Sequence, residues 1–362
     1  MRILFDGFWW GRGPVSNRHL MISMVQTWSD LFPDDEIVVA VRRKDRDRLV
    51  GLPSGVTLVE TTLTPHGIST MVELPFIARR ARADLIFTHN FTPLFSPSVV
   101  FIHDLLFVTN PEWFTAKERL YFGLMTLTAR RARAIVTSSQ SEADRINTVL
   151  SRGPRATAIG LGLGDRLATL ESRPAALAST DHFLLTVGRL NVRKNLAFAC
   201  RAAVRSGAIS PRFPLVIAGS VHGRTEDWPK EVLEAIQDGS VVLTGYVSDG
   251  ELAWLYAQCR AFLFLSRGEG FGLPPLEALH AGAEIIASNI PVMREILDEH
   301  ATFVEVTDSE RLEREIARVV STAPSAQERA AGIAWASGFT WERTIRLLRQ
   351  TAVGASRSQG ST

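Results

Sequence analysis

A chain of 362 residues is too long for one ordinary hydrophobic core, so two domains are the natural expectation. Its 46% hydrophobic content marks it as globular rather than disordered, and a formal net charge of +2 is too small to argue for a nucleic-acid partner. Cys200 and Cys259 lie in apolar contexts without CxxC spacing, as reduced core thiols of a cytosolic protein do, and no apolar run approaches a membrane span.

Along the chain, short apolar runs alternate with amphipathic stretches. Residues 2–7 are predicted as a first strand rather than a signal peptide. Further strands are predicted at 36–41, 57–60, 84–88, 99–103 and 134–137, with helices at 16–31, 68–82 and 115–132 between them. Strands alternating with helices predict a doubly wound parallel sheet. The loop Gly11-Arg12-Gly13-Pro14-Val15-Ser16-Asn17 joins the first strand to the first helix, with Ser16 and Asn17 suited to capping it. Gly11 and Gly13 lack a third glycine at Ser16, so a dehydrogenase fingerprint is poorly met.

Asp45-Arg46-Asp47 has the spelling of a metal-binding Asp-x-Asp, but it lies in a charged run and reads as a solvated loop or helix start. His103 and Asp104 close the fifth predicted strand. A strand-end His alone more often satisfies a structural need. Asp104 either caps the next segment or orients His103. Arginine clusters at 42–48, 79–82 and 130–133 are either solvated helix surface or a patch for anionic lipid headgroups.

Residues 160–180 read as hinge and linker, after which the strand–helix alternation resumes. Strands are predicted at 183–187, 215–218, 241–243, 261–265, 284–287 and 303–306, with helices at 195–206, 249–258 and 275–281. Two helical stretches, 325–336 and 340–352, end the chain.

Two loops of this second half carry chemistry. After the strand at 183–187, Gly188 allows a tight exit, and Arg189 and Lys194 sit where a strand end meets a helix start; two such cations suit a diphosphate. Asn195 is placed to cap the helix that follows. After the strand at 261–265 comes Gly268-Glu269-Gly270-Phe271-Gly272-Leu273-Pro274-Pro275-Leu276-Glu277. Its glycines let the backbone approach a ligand, and the prolines suit a first helical turn whose free N–H groups form an anion site. Glu269 and Glu277 flank that site. A phosphate site between two hydrogen-bond acceptors points to a ligand with both phosphate and hydroxyl groups, such as a nucleotide sugar.

In their order, Gly188-Arg189…Lys194-Asn195, Val216-Ile217-Ala218-Gly219, Leu243-Thr244-Gly245-Tyr246-Val247 and Glu269…Glu277 resemble the retaining glycosyltransferases of family four. The resemblance covers most of the chain and is densest over residues 183–297. It implies the α/β GT-B fold, with two Rossmann-like doubly wound domains facing across an inter-domain cleft. Residues 1–164 would form an acceptor-side domain, 165–180 a linker, 181–338 a nucleotide-sugar domain, and 339–356 a helix crossing back to the first domain.

The resemblance also implies roles. Arg189 and Lys194 match the diphosphate-binding cations, Glu277 the glutamate on the ribose, and Glu269 the one facing the donor sugar. Gly188, Gly270, Phe271, Gly272 and Leu273 match the donor-binding loops. Phe101-Ile102-His103-Asp104 resembles the family's His-Asp element, in which the His lies near the transferred sugar. Pro111-Glu112-Trp113-Phe114 accompanies it in mannosyl- and rhamnosyl-type members. Gly13 and Asn17 match the first-domain glycine loop, though the commoner Gly-Gly-x-Gly spelling is not met.

The implied activity is retaining hexosyl transfer, with mannose or a deoxyhexose favoured. It runs from a nucleotide-diphosphate sugar to a saccharide or lipid-linked saccharide, without cofactor or metal. The histidines 19, 66, 89, 182, 222, 280 and 300 show no metal-ligand spacing. A cytoplasmic location follows, with the arginine clusters suggesting contact with the inner face of the membrane. The rivals are a sugar-nucleotide 2-epimerase and a non-catalytic nucleotide-sugar-binding protein.

Overall fold

The computed structural model describes residues 1–13, 15–164, 167, 172–178, 180, 182–220 and 227–357. The chain divides into two compact units. One comprises Met1–Thr109, Ala116–Gly164 and Thr340–Thr362; the other comprises Asn110–Thr115 and Asp165–Phe339. Of the linker expected at 165–180, residues 167, 172–178 and 180 are described, and they include a 3-10 turn, Ala175–Leu177, that buries Leu177.

The first unit holds a parallel sheet of seven strands: β1 (Arg2–Asp6), β2 (Glu36–Arg42), β3 (Thr57–Thr61), β4 (Leu85–His89), β5 (Ser98–Phe101), β6 (Ala134–Thr137) and β7 (Ala156–Ala158). Their order is β3-β2-β1-β4-β5-β6-β7. Ile3, Leu4 and Phe5 of β1 are all buried, which is why the run reads as continuously apolar rather than alternating. β7 has no counterpart among the predicted strands. It is a three-residue edge strand, Ala-Thr-Ala, too short and too small to leave a hydrophobic signal. The fifth strand ends at Phe101, so His103 lies in the loop beyond it.

Helix Trp341–Arg357 belongs to this first unit and buries Ile345, Leu348 and Ala352 there. Its Arg349 donates to both carboxylate oxygens of Asp35, at 2.7 and 3.2 Å. The N-terminal ammonium of Met1 and the indole of Trp28 bond the same carboxylate, at 2.8 and 3.1 Å.

The second unit holds a six-stranded parallel sheet: β8 (Leu184–Val187), β9 (Leu215–Ala218), β10 (Val241–Gly245), β11 (Ala261–Phe264), β12 (Glu284–Ser288) and β13 (Thr302–Val304). The order is β10-β9-β8-β11-β12-β13. Both sheets reverse direction of growth beside their first strand. In such open sheets the crevice at the carboxyl ends of the two strands flanking the reversal is the ligand site. In the second unit those strands are β8 and β11, and the two loops singled out from the sequence leave their carboxyl ends.

Candidate active site

In the second unit, the chain leaves β8 through Gly188 and makes a single 3-10 turn, Val192–Lys194. Asn191 caps that turn, accepting from the N–H of Lys194 at 3.2 Å. The turn directs the Lys194 stem inward, past Gly188, where a Cβ would stand 3.0 Å from the lysine Cε. Asn195 does not cap the following helix, Leu196–Arg205, with its side chain. It adopts φ +54° and accepts from Arg267 Nε at 3.2 Å, tying the two ligand loops together.

After β11, the second loop places Glu269 on the first. Lys194 Nζ donates to Glu269 Oε1 at 2.8 Å, and Arg193 pairs with the other carboxylate oxygen. Arg193 also donates to the carbonyl of Gly268 at 2.8 Å, while the N–H of Arg267 donates to the carbonyl of Arg193 at 2.8 Å. Lys194 lies over the face of Phe264, 4.3 Å from its centroid. Burial alone would raise the Glu269 carboxyl, but Arg193 and Lys194 outweigh it and hold it at about 2. Burial pulls Lys194 down to about 8, against the attraction of Glu269 and with the help of neighbouring Arg193 and Arg189.

Arg189 is exposed and forms no ion pair with another described residue. Three cations and one carboxylate thus meet at the carboxyl ends of β8 and β11, leaving a positive excess suited to a diphosphate. Arg193 went unread in the sequence because its partner, Glu269, lies 76 positions away.

The helix Leu273–His280 begins directly after Glu269-Gly270-Phe271-Gly272. Gly272 stands at its start with φ +115°, a conformation that favours glycine, and a Cβ there would have to displace Met293 Cε, 2.4 Å away. The Phe271 ring is buried against Phe339, centroids 6.1 Å apart. Its side chain is therefore core, which leaves its backbone to meet a ligand. Gly270 and Leu273 are half-buried at the mouth of the turn. Glu277 is buried and accepts from the hydroxyl of Tyr256 at 3.1 Å. Tyr256 lies on another helix, Asp249–Gln258, and no spacing in the sequence links the two.

In the first unit, Asp6 ends β1, His89 ends β4 and His103 follows β5. Asp6 is buried and accepts from Thr70 Oγ1 and pairs with His66 Nε2, both at 2.8 Å. Burial would raise its carboxyl, but His66 holds it below the usual carboxylate range. The backbone N–H of His103 donates to Asn90 Oδ1 at 3.1 Å, and its ring stacks on His89 with centroids 5.5 Å apart. Burial, with the nearby His66, lowers His103 to about 4, so its imidazole is neutral at physiological pH. The buried Nε2 of His103 and both ring nitrogens of His89 lack a hydrogen-bond partner among the described residues. Asp104 accepts from the N–H of Leu106 at 3.2 Å, at the start of the short helix Leu106–Thr109.

The glycine loop is built for packing. A Cβ on Gly13 would stand 2.3 Å from the Trp9 ring. The helix starts at Val15, so Ser16 and Asn17 lie inside its first turn rather than at the cap position; Pro14 lies outside the described residues. Asp45 is not solvated as expected. It is buried within the 3-10 turn Arg43–Arg48 and paired with Arg42 at 2.5 Å. Among the described residues, no group of three metal-ligating side chains converges.

Residues 169–332 match the family described as Glycosyl transferases group 1. Those residues lie within the second unit, which is similar to that family over most of its length. The chain is 26% identical over 264 residues to the serotype-specific mannosyltransferase WbdA of Escherichia coli, covering 69% of this chain but 32% of that one. It therefore spans about a third of the length of that relative. It is also 26% identical over 274 residues to a Xanthomonas campestris protein named GDP-mannose:cellobiosyl-diphosphopolyprenol alpha-mannosyltransferase, covering 73% of this chain and 70% of that one.

In fold, the chain is similar to sucrose-phosphate synthase from Thermosynechococcus elongatus, with a TM-score of 0.72 at 15% identity, covering 99% of this chain and all of that one. The chain thus has the GT-B fold, and Glu269, Glu277, Arg189 and Lys194 all lie inside the residues that match the family. No described helix is long and apolar enough to cross a membrane.

Proposed function

We propose that the chain is a retaining hexosyltransferase that moves mannose or a deoxyhexose from a nucleotide-diphosphate sugar to a hydroxyl of a saccharide or lipid-linked saccharide. The convergence of Arg189, Lys194 and the start of helix Leu273–His280 at the carboxyl ends of β8 and β11 carries this reading. Similarity to mannosyltransferases, one of them named for GDP-mannose and a diphosphopolyprenol acceptor, supports it.

The reaction breaks the bond between the anomeric carbon and the diphosphate oxygen. Negative charge builds on the leaving diphosphate while the sugar becomes oxocarbenium-like. Arg189 and Lys194 stabilise that charge, filling the part a divalent cation plays elsewhere. The acceptor oxygen bonds the anomeric carbon on the face the diphosphate leaves, and its proton passes to the leaving phosphate oxygen. No protein base is needed. Glu269 is held anionic by its two cations and so serves charge and positioning rather than proton donation. Glu277 holds the ribose hydroxyls, with Tyr256 fixing its carboxylate. Neutral His103 offers a hydrogen bond to the transferred sugar.

Contact with the inner membrane face belongs to the same reading. Arg79, Arg80 and Arg82 are exposed, and beside them Phe76 and Phe95, each 64% exposed, line a groove of about 390 Å³ with Pro75 and Pro97. Exposed aromatic rings flanked by arginines suit a bilayer bearing anionic headgroups. The arginines at 42–48 are spent differently, since Arg43 and Arg46 pair with Glu60 and Arg42 with Asp45.

The deciding experiment measures melting temperature with GDP-, UDP- and dTDP-linked sugars, then transfer to diphosphopolyprenol-linked saccharides. A rise with one donor class, followed by transfer, is expected. No response to any nucleoside diphosphate would sink the reading.

A further inference from the structure

We propose that Arg193 is a positioning residue that keeps Glu269 anionic and in place while Lys194 is drawn to the donor diphosphate. The inference rests on the glycosyltransferase reading and concerns a residue to which that reading gives no task.

Lys194 has two anions to serve. Its ammonium lies 2.8 Å from Glu269 Oε1, yet it is also one of the cations placed for the diphosphate. A buried carboxylate stripped of its only cation is strongly disfavoured. If Lys194 were the sole partner of Glu269, diphosphate and carboxylate would compete for it, and donor binding would carry that cost.

Arg193 removes the competition. It takes the other carboxylate oxygen, and its planar guanidinium reaches the Gly268 carbonyl at the same time, at 2.8 Å. Its own backbone is pinned, because its carbonyl accepts from the N–H of Arg267 at 2.8 Å. Arg193 is therefore fixed to the Glu269 loop at three points, two through the guanidinium and one through its backbone, and does not follow the diphosphate. Arg189 differs: it is exposed and unpaired among the described residues, which suits a direct phosphate contact. The three cations thus divide into one that holds the carboxylate, one that meets the phosphate, and one shared between them.

The test is a double-mutant cycle on the full chain, titrating GDP and UDP by calorimetry into wild type, Arg193→Met, Glu269→Gln and the double variant. In the wild-type background, Arg193→Met should weaken nucleoside-diphosphate binding about tenfold, because Glu269 then retains Lys194. With Glu269→Gln the competition is gone, and the same substitution should change affinity less than about threefold. An equal loss in both backgrounds would mean that Arg193 touches the diphosphate itself and would overturn the proposal. So would no loss in either.

Arg193→Lys guards against a folding defect: it keeps a cation on Glu269 and should hold affinity within about threefold of wild type. A loss matching Arg193→Met would refute the charge argument. Failure of wild type to bind GDP or UDP would instead refute the glycosyltransferase reading, and the role of Arg193 with it.

Discussion

Lys194 and Glu269, 75 residues apart in sequence, meet at 2.8 Å across the carboxyl ends of β8 and β11. The pair joins the loops that follow the two strands flanking the sheet reversal, so it reports directly on whether the ligand site is assembled.

Lys194→Met should therefore reduce transfer by about two to three orders of magnitude, the scale seen when a preorganised charge-stabilising group is lost. Arg193 remains to balance Glu269, so the melting temperature should fall only modestly. Near wild-type turnover in this variant would remove Lys194 from the active-site account. Binding should also depend on pH. Lys194 titrates at about 8, so nucleoside-diphosphate affinity should decline as pH rises through that value. Lys194→Arg, charged throughout, should lack the decline.

Tyr256 is expected to matter through Glu277. Tyr256→Phe deletes one hydrogen bond to a buried carboxylate, worth about 1 kcal/mol, and should weaken nucleoside-diphosphate binding about fivefold. Deoxyribose analogues of the nucleotide should lose less than the ribose forms do, because the substitution perturbs the ribose contact. Equal losses for both would separate Tyr256 from ribose binding.

Glu142 offers a pH test of the first unit. It is buried, accepts from the N–H of Leu105 at 2.9 Å and has its carboxyl pushed to about 8 by burial and by Asp104. A raised carboxyl contributes stability that is full below the unfolded value near 4.5 and is lost as pH climbs through 8. Glu142→Gln keeps the acceptor and abolishes the titration. Its melting temperature should match wild type near pH 4.5 and exceed it by about 2–5 °C at pH 8.5. A difference constant with pH would contradict the assignment.

Charge reversal should detach the chain from membranes. Arg79→Glu with Arg80→Glu is expected to abolish co-sedimentation with vesicles containing phosphatidylglycerol at low salt, while soluble-acceptor transfer persists. Unchanged sedimentation would leave these arginines as solvated surface.

How much of this was legible beforehand depends on the range of the interaction. The β8 and β11 loops were readable because glycines, cations and carboxylates sit within a few residues of strong apolar runs. The helices that were named start within a residue or two of where they were placed, whereas Gln140–Val149, Lys230–Gln237, Pro291–Leu297 and Ser309–Ser321 were not named. The contacts that complete the site were not. Tyr256 reaches Glu277 from a different helix, and Arg193 reaches Glu269 across 76 positions, with no local pattern to mark either. Asn195 was read as a cap because its type and place allow one, yet its side chain has a tertiary partner in Arg267. The packing of the Phe271 ring on Phe339 likewise joins positions that no local pattern links.

The helix Trp341–Arg357 has a consequence for how the protein is made. It completes the core of the first unit, yet it leaves the ribosome only after the entire second unit has emerged. During synthesis the hydrophobic surface destined for Ile345 and Leu348 stays uncovered, and Asp35 lacks its guanidinium, until the last stretch of chain arrives. The first unit begins to form first and finishes last, so its incomplete form is the species a chaperone would meet.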